Sequence, residues 1–174
     1  MPKASGKAFA LEVSAEVGRA YVARLREMLP KARVLATRGV LAELHVILIG
    51  DAAMSRLHRD FMQIDGPTDV MTFPIDLDGR GRAVSGEVYV CVPYAKREAT
   101  ARGTRAADEV LLYAVHGMLH LCGYDDRTDR DFATMHAAED SILTVLGAGA
   151  VYTAGAGTRA AKDTPKAKRR GAPS

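Results

Sequence analysis

Residues 110–128, VLLYAVHGMLHLCGYDDRT, decide how the rest of the chain is arranged. The run opens as an apolar helix and sets His116 and His120 four residues apart. At about 100° per residue both imidazoles leave one face, one turn apart, where together they can grip a metal ion. Gly123 follows where the helical pattern stops, the usual place for a left-handed residue that turns the chain back. Asp125 and Asp126 come after the turn, so the reversed chain returns a carboxylate toward the imidazoles. Two helical His and a third ligand beyond a Gly turn have the spacing of a three-ligand catalytic metal site: His116, His120 and Asp126. A bare H-x-x-x-H is a weak signal, and the turn with its acidic pair gives it weight. A metalloprotease carries Glu directly after the first His; Gly117 stands there, so a peptidase reading lacks its general base.

Upstream, Thr104 or Ala106 opens the helix, and Asp108 and Glu109 in its first turn complement the helix dipole. Alternating or continuous apolar runs predict strands over Phe9 to Val13, Leu41 to Ile49, Val70 to Pro74 and Glu87 to Val92. Helices are predicted from a Ser14 N-cap to about Ala36, from Ala52 to Met62 with Asp51 as cap, and from Pro93 to Arg102. A last helix is capped by Thr128 or Asp129, with a stripe of Phe132, Met135, Ile142, Leu143 and Leu146. Residues 75–83 read as a loop or hairpin turn. His45, His58 and His136 have no ligand spacing and are read as structural. Four strands and about five helices, strands gathered early and helices late, predict a single α+β domain.

The segment His116-Gly117-Met118-Leu119-His120-Leu121-Cys122-Gly123-Tyr124-Asp125 resembles the H-G-x-L-H-L-x-G-Y-D signature of the YbeY family, bacterial single-strand-specific endoribonucleases and rRNA maturation factors. Gly66-Pro67-Thr68-Asp69-Val70-Met71-Thr72-Phe73-Pro74 is similar to the family's P-T-D/N-V-L/M-S/T-F-P, and Gly86-Glu87-Val88 to its G-D/E-I/V strand start. The resemblance covers approximately Leu41 to Leu146. It implies a small mixed four-stranded sheet packed against a central metal-binding helix, with a cleft between them lined by Thr68 to Pro74. It also implies cleavage of single-stranded RNA in rRNA maturation, with the small ribosomal subunit as partner.

Two departures from the family pattern stand out. Its third metal ligand is a His directly after G-Y-D, where this chain has Asp126. Its Arg shortly before P-T-D-V, in a Y-R pair, is replaced in Phe61-Met62, and Arg59 on the same predicted helix is the candidate substitute for holding substrate. A zinc ion with three protein ligands leaves a position for water, lowers that water's pKa and polarises a phosphoryl oxygen. An anionic third ligand donates more charge than an imidazole and favours Mn2+ or another oxygen-preferring divalent ion as an alternative to Zn2+. Asp125 and Thr72 are candidates to support the ligands; the sequence identifies no general base. Two rival readings are a non-catalytic ribosome-assembly factor with a structural metal, and a metal hydrolase of another substrate class.

With 174 residues, 48% hydrophobic and 26% charged, the composition is that of a soluble globular domain. No apolar run reaches the length of a membrane span or a signal peptide, and two unpaired cysteines fit a reducing compartment, so a cytoplasmic protein without membrane contact is expected. The net charge of +3 is unevenly spread. From Thr153 to Ser174 there are six basic residues and one acidic, leaving 18 basic against 20 acidic elsewhere. Residues 1–150 are thus expected to form the catalytic domain. Residues 151–174 are expected to be a disordered basic tail, too poor in apolar residues to order and able to hold RNA loosely through phosphates.

Overall fold

The computed structural model describes residues 8–148, so the expected tail lies outside the described residues. In chain order the elements are β1 (Ala10–Ala15), a turn of 3-10 helix (Arg19–Tyr21), α1 (Val22–Leu35), β2 (Glu43–Ile49), α2 (Asp51–Met62), β3 (Val70–Leu77), β4 (Ala83–Cys91), α3 (Val92–Arg102), α4 (Ala106–Leu121) and α5 (Asp129–Val145). The sheet order is β1-β2-β4-β3. β1, β2 and β4 run parallel, and β3 is antiparallel to β4 at the edge, giving the mixed four-stranded sheet of an α+β domain.

Strand alternation splits the core in two. Val13, Leu44, Val46, Leu48, Val88 and Val90 face the layer of α1, α4 and α5 and form the main core with Leu25, Leu29, Leu112, Met118 and Leu143. Ile47, Ile49, Met71 and Cys91 point to the other face, where Met54 of α2 completes a smaller cluster. α4 is the central helix: eleven of its sixteen residues are buried, and it touches α1, α3, α5, β3 and β4. An apolar run with few breaks is what a helix surrounded by protein requires.

Local expectations are corrected in several places. Ser14 is no helix cap; it lies in β1 opposite Ile47, its hydroxyl 2.8 Å from Nε2 of His45, and α1 starts only at Val22. The pairing of β1 with β2 outweighs the local capping preference of Ser. Asp51 does not cap α2: the N-cap is Gly50, and the Asp51 carboxylate accepts two 2.9 Å hydrogen bonds from Arg97. α1 runs through Pro30 to Leu35, held by Leu25, Leu29 and Ala32 in the core. β3 and β4 extend well into the expected loop and leave a short turn in which Asp78 accepts the amides of Arg80 and Arg82. Pro74 is accommodated because β3 is an edge strand with a register shift directly after it. Thr128 caps α5 as expected, accepting from the Asp131 amide at 3.1 Å.

Candidate metal centre

The end of α4 determines where Asp126 goes. Gly123, at φ +93°, donates its amide to the His120 carbonyl, and the Tyr124 amide reaches the Leu119 carbonyl, both at 3.0 Å. This pair of bonds is a Schellman motif, which satisfies the last carbonyls and reverses the chain. The Asp126 amide then donates to Oδ1 of Asp125 at 2.8 Å, fixing the segment beside the helix.

Three donor atoms converge there. Nε2 of His116 and Nε2 of His120 are 3.1 Å apart, and Oδ2 of Asp126 lies 3.8 and 3.5 Å from them respectively. A tetrahedral ion with bonds of about 2.0–2.1 Å holds its ligand atoms about 3.3 Å apart, so two imidazoles and a carboxylate at these separations fit a divalent cation. These three residues form a group able to hold a metal ion, with donor atoms within 4.8 Å of one another. Their side chains are 16%, 27% and 27% exposed, which leaves one side of the trio open to solvent.

The surroundings are acidic. Burial pushes the His116 imidazole down, but its hydrogen bond to Glu139 and the charges of Glu139, Asp69 and Asp126 outweigh that and raise it. The hydrogen bond with His120 holds Asp126 below the usual carboxylate range, against the opposing effect of burial. Gly117 also has a physical reason: a Cβ there would lie 2.6 Å from Val88 and 3.0 Å from Oγ1 of Thr72. The residue after the first His has no room for any side chain, so α4 can lie directly on β4 and β3.

Of the other expected site residues, Thr72 faces α4 at Gly117, and Asp125 is paired with the exposed Arg127, whose guanidinium thereby stands beside Asp126. Arg59 is exposed on α2, 3.8 Å from Asp60, and α2 packs on the sheet face opposite α4. Met62 packs in the smaller core cluster. His58 donates Nδ1–H to the Gly66 carbonyl oxygen of its own loop at 2.9 Å. Cys122 is buried at the end of α4, and burial pushes the Cys91 thiol up to about 11, so neither offers a thiolate near neutral pH.

Sequence reasoning missed Glu139. This fully buried acid on α5 places Oε2 3.0 Å from Nδ1 of His116 and 3.7 Å from Nδ1 of His136. One signal could have found it: Met135, Glu139, Ile142 and Leu146 recur at helical spacing, so an acid occupies the apolar stripe. Asp69, within the Gly66–Pro74 segment, also acts on His116 through its charge.

The family model described as Endoribonuclease YbeY matches residues 10–147. The chain belongs to the YbeY family. Proteins named Endoribonuclease YbeY from Kineococcus radiotolerans and Mycobacterium ulcerans are similar to it. The first is 48% identical over 92 residues, 49% of this chain and 53% of the relative. The second is 39% identical over 111 residues, 59% of this chain and 62% of the relative. The matches thus span a little over half of the length of these YbeY relatives. The fold is shared with the solution structure of TM1509 from Thermotoga maritima, at a TM-score of 0.55 and 24% identity over 79% of this chain and 91% of that one.

Proposed function

We propose that this protein is a divalent-metal-dependent endoribonuclease that cleaves single-stranded RNA and acts in rRNA maturation on the small ribosomal subunit, in the cytoplasm. The observation that carries the reading is the convergence of His116, His120 and Asp126 at separations suited to one cation. Membership of the YbeY family and relatives named as endoribonucleases support the choice of reaction and substrate. His116 and His120 through Nε2 and Asp126 through Oδ2 would hold the ion, with Zn2+ the first candidate and Mn2+ favoured by the carboxylate. When bound, the ion supplies Lewis acidity, making a water more acidic and polarising a phosphoryl oxygen.

The remaining groups bind and orient. Asp125 braces the trio by accepting the Asp126 amide, and Thr72 stands on β3 beside Gly117, next to His116 in sequence. Arg127, beside Asp125, is a cation near the trio suited to contact a phosphate in place of the family Arg that Met62 replaces, while Arg59, exposed on the opposite layer, would meet RNA only away from the trio.

The deciding experiment is cleavage of a labelled single-stranded RNA by the full chain. Activity is expected to vanish with chelator and to return with Zn2+ or Mn2+, and His116→Ala and His120→Ala are expected to lose both stoichiometric metal and cleavage while staying folded. Full metal occupancy in both variants by elemental analysis would refute the ligand assignment. Metal binding without cleavage would favour the assembly-factor reading, which the replacement of the family Arg by Met62 supports.

A further inference from the structure

We infer that Glu139 is a positioning residue that holds His116 in the one neutral tautomer able to offer Nε2 to a metal ion, an inference that rests on the metal-site reading above. The observation behind it is a carboxylate where an apolar side chain would fit better. Glu139 is wholly buried on the apolar stripe of α5, and its Oε1 has no hydrogen-bond partner among the described residues. A buried acid with an unsatisfied oxygen is costly to a fold, so its retention in the core is not explained by packing.

Its other oxygen accounts for it. Oε2 sits 3.0 Å from Nδ1 of His116, on the side of the ring away from His120 and Asp126. A carboxylate only accepts hydrogen bonds, so the His116 Nδ1 must carry the proton and Nε2 keeps its lone pair. That lone pair points into the gap shared with His120 Nε2 at 3.1 Å and Asp126 Oδ2 at 3.8 Å. Nδ1 of His136 stands 3.7 Å from the same oxygen, and its ring packs on Phe132 at 3.9 Å between centroids. His136 therefore stands near the same carboxylate oxygen without a hydrogen bond to it. α5 thus contributes to the metal centre without supplying a ligand. Carboxylate-to-imidazole contacts of this kind orient metal-binding rings and raise their basicity.

The test uses the full chain and two readouts. Long-range proton–nitrogen NMR of the metal-free protein, at a pH where the imidazoles are neutral, is expected to show His116 as the Nδ1–H tautomer. The Nε2–H form should appear in Glu139→Gln, whose amide can either accept from or donate to Nδ1. Zinc titration is expected to show Glu139→Ala weaker by about 10- to 100-fold, with Glu139→Gln in between. An Nε2–H tautomer in the wild type would overturn the inference, as would a folded Glu139→Ala with zinc affinity within about threefold of wild type. The wild-type tautomer needs no variant, so it decides even if Glu139→Ala does not fold. Absence of zinc uptake by the wild-type protein would instead refute the metal-site reading, leaving the tautomer to judge Glu139 separately.

Discussion

Asp126 stands where the family pattern has His, and an Asp side chain ends roughly an ångström short of a His ring nitrogen. The Schellman turn compensates by bringing the backbone close, so that Oδ2 reaches 3.8 and 3.5 Å from the two imidazole nitrogens. Such distances suit direct ligation of one cation by all three donors. Asp126→Ala is therefore expected to weaken zinc binding by as much as His120→Ala does, while Asp126→His, which recreates the family arrangement, should retain it. Titration of the three variants checks this. Zinc affinity in Asp126→Ala equal to that of the wild type would mean that another group completes the trio. Gly117 makes a complementary point at the same scale, since the residue that removes the peptidase base is also one that the contact with Val88 obliges to lack a Cβ.

Among the elements, the α4–turn–α5 unit does the assembling. α4 supplies both His, the turn supplies the Asp, and α5 packs behind with Glu139 against His116. The hinge of this unit is Gly123, at φ +93° with no heavy atom within 4 Å of where a Cβ would be. Substitution there meets backbone strain and no steric clash. Gly123→Ala is expected to destabilise the protein by about 1–2 kcal/mol, the usual penalty for a left-handed non-Gly residue. It should also weaken zinc binding, because the displaced turn moves Asp126. Urea denaturation of metal-free protein, paired with zinc titration, separates the two effects; a loss of stability with unchanged zinc affinity would show that the turn does not govern ligand placement.

For the whole molecule, charge is the property that the fold does not account for. Six basic residues and one acidic lie from Thr153 to Ser174, outside the described residues, while the remainder carries 18 basic against 20 acidic. Among the described residues no helix is long and apolar enough to cross a membrane. If the tail contributes to RNA binding, truncation after Thr153 should leave zinc binding intact and weaken RNA affinity. The slope of log affinity against log salt should then fall by up to about 4, at roughly 0.7 per neutralised phosphate of a single strand. An unchanged slope would show that the tail makes no phosphate contacts.

The sequence by itself determined the central helix, its Gly turn and the candidate trio. All three lie within residues 106–126, where helical periodicity and a single reversal fix relative positions without knowledge of the rest. It also determined the number of strands. Tertiary structure alone decided what meets what across long separations. β1 claimed Ser14 from a local cap because pairing with β2 satisfies a whole strand's backbone. Asp51 turned from the end of its helix to Arg97, 46 residues away. Glu139 came to His116 across 23 residues because α5 folds back along α4. Local pattern carries periodicity and turns, whereas the partner of a buried charge depends on which helices pack together, and that is set by the core as a whole.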